Sequence, residues 1–129
     1  MGTKQVNLRQ NANSYAVTIA INTAISDAVD VAAFGPRGLA IQTPAVWTAA
    51  DIGFVLSADG INYYPLYDEN GDRVLITTVA TGAAQIYTAP AALWAAGAYT
   101  HLKLVSLDTS TGAPANQAAA RALVVKVLA

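Results

Sequence analysis

The chain has 129 residues, of which 54% are hydrophobic and only 12% charged, with a formal net charge of -1. This length suits one domain around one core rather than two independent domains. So apolar a composition excludes a disordered chain, and the low charge points either to a surface partly covered by a partner or to scattered exposed alanines. The basic residues are spread singly from Lys4 to Lys126. There is thus no basic tract of the kind that non-specific nucleic-acid binding uses, and direct nucleic-acid contact is not expected. Cysteine is absent, which removes disulfides, thiol catalysis and cysteine-ligated metal sites.

The N-terminus, MGTKQVNLRQNANSY, lacks the apolar stretch of a signal peptide. Residues 1–14 are expected to form a polar arm that adds to a neighbouring subunit's sheet edge, ahead of one β-sandwich domain over residues 15–129. Period-two alternation dominates from there on. YAVTIAI (residues 15–21) puts Tyr15, Val17, Ile19 and Ile21 on one face, and DAVDVAAF (27–34) alternates Val29 and Val31 with polar or small residues. RGLAIQT (37–43) places Leu39 and Ile41 together. PAVWTAA (44–50) reads as a loop or one helical turn, and DIGFVLS (51–57) sets Ile52, Phe54 and Leu56 on one side.

NYYPLYD (62–68) is the next strand, and Pro65 assigns it to an edge or a bulge. RVLITTVA (73–80) and AAQIYTA (83–89) follow. PAALWAAG (90–97) has Pro at its start and Gly at its end, as a single helical turn would, with Leu93 and Trp94 plugging the core. AYTHLKLVS (98–106) alternates clearly, LDTSTGAPANQ (107–117) is a polar loop, and the tail ending LVVKVLA is a final strand. Eight or nine short strands without βαβ spacing predict an all-β, antiparallel β-sandwich with a jelly-roll-like path; a closed barrel is the alternative. No apolar run approaches a membrane span, so membrane binding is not expected.

SADGINYYPLYDENGDRV (57–74) gathers Asp59, Asp68, Glu69, Asn70 and Asp72. Counted as an EF-hand from Asp68, Asn70 and Asp72 fall correctly, but Arg73 stands where Gly is needed and Val79 where Glu is needed. An irregular calcium loop through Asp68, Asn70 and Asp72 stays open. A glycosidase pair would need carboxyls within about 10 Å. Asp59 and Asp68 are expected at opposite ends of a strand of about seven residues at roughly 3.4 Å each. The reading preferred is two hairpin turns, Asp59-Gly60 and Asn70-Gly71, in a three-stranded meander of 51–58, 61–68 and 73–80.

His101, the one histidine, is expected to be a hydrogen-bonding core or interface residue, and no metal spacing or G-x-S-x-G elbow accompanies it. A triad of His101 with distant Ser and Asp residues is not excluded by sequence. Trp47, Phe54, Tyr63, Tyr64, Tyr67, Tyr87, Trp94 and Tyr99 serve either the core and subunit contacts or a glycan-stacking face. No catalytic, cofactor-binding or metal-binding residue is assigned, and no cofactor is expected.

The segments AVWTAADIGFVLSADGINYYPLYDENG (45–71), PAALWAAGAYTHLKL (90–104) and GAPANQAAARAL (112–123) resemble small β-sandwich virion proteins of tailed bacteriophages and prophages. The resemblance covers about half the chain. It implies a non-enzymatic structural virion protein, of the capsid decoration or cement type. Such a protein would associate with itself, a homotrimer being favoured, and with the major capsid protein. It would sit on the capsid surface of the virion and pass through the host cytoplasm before assembly. The same hairpin type resembles that of discoidin-like carbohydrate-binding sandwiches, which implies a carbohydrate- or receptor-binding virion module as the alternative.

Overall fold

The computed structural model describes residues 12–30, 38–79, 82–90, 93 and 101–128. Nine strands are present among them: β1 (Ala12–Ile19), β2 (Ile25–Asp30), β3 (Gly38–Gln42), β4 (Asp51–Ser57), β5 (Tyr64–Pro65), β6 (Leu75–Ile76), β7 (Ile86–Thr88), β8 (His101–Leu107) and β9 (Arg121–Leu128). They pair in the order β5-β4-β8-β2-β1-β9-β3-β7, with β6 also on β4, and every pairing is antiparallel. The described strands therefore form one curled, half-barrel sheet. The all-β antiparallel expectation holds. The two-sheet sandwich appears only as a bend, because its would-be layers are hydrogen-bonded to each other through β1 and β2.

The bend has a local cause. β1 and β2 pair at a single register position, Ile19 with Ser26, and the β2–β8 register shifts between Ile25 and Ala28. Such a bulge sharpens strand twist and leaves ladder groups without partners. Ser26 and Asp27 supply replacements. Leu104 N–H donates to Ser26 Oγ at 2.9 Å on one side, and Thr18 N–H donates to Asp27 Oδ2 at 3.1 Å on the other.

The curl turns the alternating faces inward as the sequence implied. Val17 and Ile19 of β1, Leu39 and Ile41 of β3, and Leu123, Val125 and Val127 of β9 meet Ile52, Phe54, Leu56, Leu102 and Leu104 of the opposite half in one cluster. Each such side chain, fully buried, contributes roughly 1.5–3 kcal/mol. β4 is buried on both faces. Its outward residue Val55 packs with Ala24, Val105 and Leu107 in a second cluster, and Gly53 makes room there, since a methyl group at Gly53 would come within 2.6 Å of Leu107 Cδ1.

Three expectations change in detail. The first strand begins at Ala12, so residues 12–14 of the expected arm belong to the sheet. Ile21 lies beyond β1 and is exposed. The meander of 51–58, 61–68 and 73–80 is not formed. β5 pairs with Val55 and Leu56, and β6 returns to Ile52 and Gly53 of the same strand. Since β8 fills the other edge of β4 from Asp51 to Ser57, β5 and β6 share one edge end to end, and the hairpin between them stands off the sheet. Of residues 90–97, Pro90 and Leu93 are described; Leu93 is helical and buried in the core, while Trp94 falls outside the described residues.

Candidate functional site

The standing hairpin and the β4–β5 turn contain the acidic residues singled out from the sequence. In the β4–β5 turn, Asp59 Oδ1 accepts hydrogen bonds from Ile61 N–H (2.8 Å), Asn62 N–H (2.9 Å) and the Ser57 hydroxyl (2.8 Å). Asn62 Nδ2 donates to Asp59 Oδ2 at 3.0 Å. The Asn62 and Ile61 amides, then the Ser57 and Asn62 side chains, hold the Asp59 carboxyl well below the usual carboxylate range. It is an ionised turn-former and a very weak base. Gly60 adopts φ 77°, and a Cβ at this position would come within 3.2 Å of the His101 ring.

In the hairpin, Tyr67 bridges Arg73, and Val74 N–H donates to Leu66 O at 3.0 Å. Asp68 Oδ1 accepts from Asn70 N–H (2.8 Å) and Asp72 N–H (3.0 Å), and Gly71 takes φ 82°. Both Asp59-Gly60 and Asn70-Gly71 are thus turns. Among the described residues no three His, Asp or Glu side chains are grouped to hold a metal ion. The Asp68 oxygen of the supposed calcium loop is already engaged by the turn's own amides. A third turn, unremarked in the sequence, repeats the device: Asp108 Oδ1 accepts from Ser110 N–H (2.8 Å) and Thr111 N–H (2.9 Å). The Thr111 and Ser110 amides lower the Asp108 pKa.

His101 is half-buried in β8, with Asp30 across from it on β2 and Ser57 on β4. Its Nε2 lies 3.8 Å from Asp30 Oδ2. The residue types of a triad are therefore neighbours, but Ser57 is fully buried and its hydroxyl donates to Asp59 while accepting Gly60 N–H at 2.8 Å. That hydroxyl belongs to the turn.

The aromatics divide by burial. Phe54 is in the core; so is Trp47, whose Nε1 donates to Ala50 O and to Thr78 Oγ1, both at 3.2 Å. Tyr87 packs on the core, with its hydroxyl accepting Val79 N–H at 3.1 Å. Tyr63 packs on the second cluster beneath Lys103, whose Nζ lies 4.4 Å from the ring centroid. Tyr64 and Tyr67 remain 64% and 53% exposed, and the Arg73 guanidinium lies 5.7 Å from the Tyr67 ring centroid. Leu56, Tyr64, Pro65 and Leu66 line a small depression of about 70 Å³. Tyr99 falls outside the described residues.

One polar network had no sequence signal. Gln117, almost fully buried, donates from Nε2 to Thr48 O (3.1 Å) and Ser106 Oγ (2.8 Å), and its Oε1 accepts Thr48 N–H (3.0 Å) and Arg121 Nε–H (3.2 Å). It fastens the 44–50 loop to β8 and β9. A glutamine in a polar loop looks like any other; only the fold encloses it.

These features define a small all-β protein built on one curled antiparallel sheet, with Asp-anchored turns and an exposed tyrosine pair at one edge. No family model matches the chain. No curated protein matches it. Among solved structures, it is similar to the crystal structure of SPBc2 prophage-derived protein YomS, with a TM-score of 0.50 and 10% sequence identity over 92% of this chain and 95% of that one. At this identity the likeness is one of fold.

Proposed function

We propose that the protein is a structural component of a bacteriophage virion, of the capsid decoration or cement type, without enzymatic activity. The observation that carries this reading is the fold shared with a prophage-derived protein along almost the whole of both chains. The resemblance of residues 45–71, 90–104 and 112–123 to phage virion proteins supports it. In this reading the curled sheet is a collapsed, jelly-roll-like sandwich and the mechanism is packing. Copies associate, as trimers, and their rims bridge major capsid proteins on the head surface; before assembly the protein resides in the host cytoplasm. A surface poor in charge suits close, water-poor contacts.

The test is sedimentation with empty capsids of the encoding phage, together with mass measurement in solution. Co-sedimentation of an oligomer is expected. A strictly monomeric protein left in the supernatant would sink the reading. A second reading, a carbohydrate- or receptor-binding virion module, is favoured by exposed Tyr67 and by exposed Tyr64, which lines a small depression with Leu56, Pro65 and Leu66. Trp47, being buried, is not part of such a face. This alternative requires glycan-array binding that is lost on Tyr64→Ala and Tyr67→Ala.

A further inference from the structure

We infer that the free edge of β7 receives the N-terminal arm, residues 1–11, of a second copy of this chain as an added β-strand. The inference rests on the self-association proposed above and gives it a site.

The ladder geometry defines the edge. Thr43 N–H donates to Gln85 O at 2.9 Å and Ala89 N–H donates to Leu39 O at 2.9 Å, in the same register as the pair Ile41–Tyr87. Residues 85, 87 and 89 thus turn their backbone groups toward β3, and Ile86 and Thr88 turn theirs away. Among the described residues β7 is the last strand of the sheet order, and both residues are exposed. The opposite edge, β5, contains Pro65, which offers no N–H to a pairing strand. β7 has neither Pro nor a charged residue, the usual means of blunting an edge. Ile86 is 72% exposed and, with Ala40, Gln42, Val124 and Lys126, lines a depression of about 120 Å³ on the outer face.

The arm has a sequence to match. In KQVNLRQ (residues 4–10), Val6 and Leu8 alternate with Gln5, Asn7 and Arg9, the pattern of a strand with one apolar face. Added beside β7, that face would lie next to Ile86 and the depression.

The same copy's arm fits poorly. Its chain enters the sheet at Ala12, opposite Leu128, with β9 and β3 lying between β1 and β7. A strand beyond β7 is four strand spacings from β1, about 19 Å, which consumes about six residues of extended chain. Residues 6–11 would be spent on the crossing, so Val6 and Leu8 could not pair with β7. The remaining residues 1–5 would also run parallel to β7 in a sheet whose pairings are otherwise antiparallel. An arm from a second copy runs antiparallel without these losses.

The absence of cysteine gives a clean test. Leu8→Cys and Ile86→Cys variants are mixed and mildly oxidised, with Val6→Cys as a second register. A disulfide-linked pair of the two variants is expected. In parallel, the mass of the full chain is compared with that of a chain lacking residues 1–10, and with Ile86→Lys and Thr88→Pro. The last takes away an outward N–H and no hydrogen bond to β3. Each change is expected to raise the dissociation constant at least tenfold, while circular dichroism of the two point variants stays unchanged. An oligomer indifferent to all three, or a cross-link formed only within one chain carrying both cysteines, overturns the arm and leaves self-association standing. A full chain that is monomeric overturns both.

Discussion

At Asp59 and Asp108 one carboxylate oxygen gathers the amides two and three residues further on, so each turn is fastened by an ion rather than by a side-chain dipole. The hydrogen bonds favour the charged form, which lowers both pKa values. The unfolded chain has ordinary aspartates near pKa 3.9. Below about that pH the unfolded state binds more protons than the folded state, so stability falls as acid is added. Above it, both states are ionised and the contribution is complete. The melting temperature should therefore be flat in this respect above about pH 5 and decline below about pH 4. The double variant Asp59→Asn with Asp108→Asn should show a shallower acid decline. Thermal melts by circular dichroism from pH 2.5 to 6 read the difference, and equal slopes would count against the turns as its source.

At the scale of elements, alternation in the sequence was a good guide to which face is buried, and a poor one to which strands are neighbours. Leu123, Val125 and Val127, or Leu102 and Leu104, point inward because a period of two leaves one arrangement that buries them. NYYPLYD alternates too, yet only Tyr64 and Pro65 are strand, because the chain leaves the sheet after Leu66 and returns at Leu75. Nothing in the residues distinguishes a meander from a hairpin that stands off one edge; the choice is made by β8 occupying the other side of β4. The acidic turns were legible, since Asp-Gly and Asn-Gly state their geometry locally. The β1–β2–β8 corner was not, because Ser26 matters only through a residue 78 positions away. Replacing it should be costly. Ser26→Ala leaves the buried Leu104 N–H without its acceptor, and a loss of about 1–3 kcal/mol is expected. Urea denaturation measures it, and a loss within error of zero would mean that Leu104 finds another acceptor.

Over the whole molecule, the sheet closes around segments far apart in sequence: β1 pairs with β9, and β9 with β3. The loops outside that closure have few ladder bonds to hold them, and Gln117 does so with its side chain. It reaches Thr48 in one loop, Ser106 in β8 and Arg121 at the start of β9. Its backbone joins the β1–β2 turn as well, where Asn22 N–H donates to Gln117 O at 3.0 Å and Gln117 N–H donates to Thr23 O at 2.9 Å. A substitution at this position removes only the side-chain bonds. Gln117→Leu keeps similar volume but leaves Thr48 N–H, Thr48 O and Ser106 Oγ without it. Some of those groups can turn to water because Thr48 is only half-buried. The expected cost is therefore about 2–4 kcal/mol rather than the full sum for every group. Gln117→Glu separates the two halves of the network: it keeps an acceptor for Thr48 N–H and Arg121 but cannot donate to Thr48 O. If the brace depends on both halves, Gln117→Glu should recover only part of the loss at neutral pH. The hydrogen-exchange protection of Thr48 N–H should fall in Gln117→Leu and persist in Gln117→Glu. Protection unchanged in both variants would show that the 44–50 loop is held by Trp47 in the core and not by Gln117.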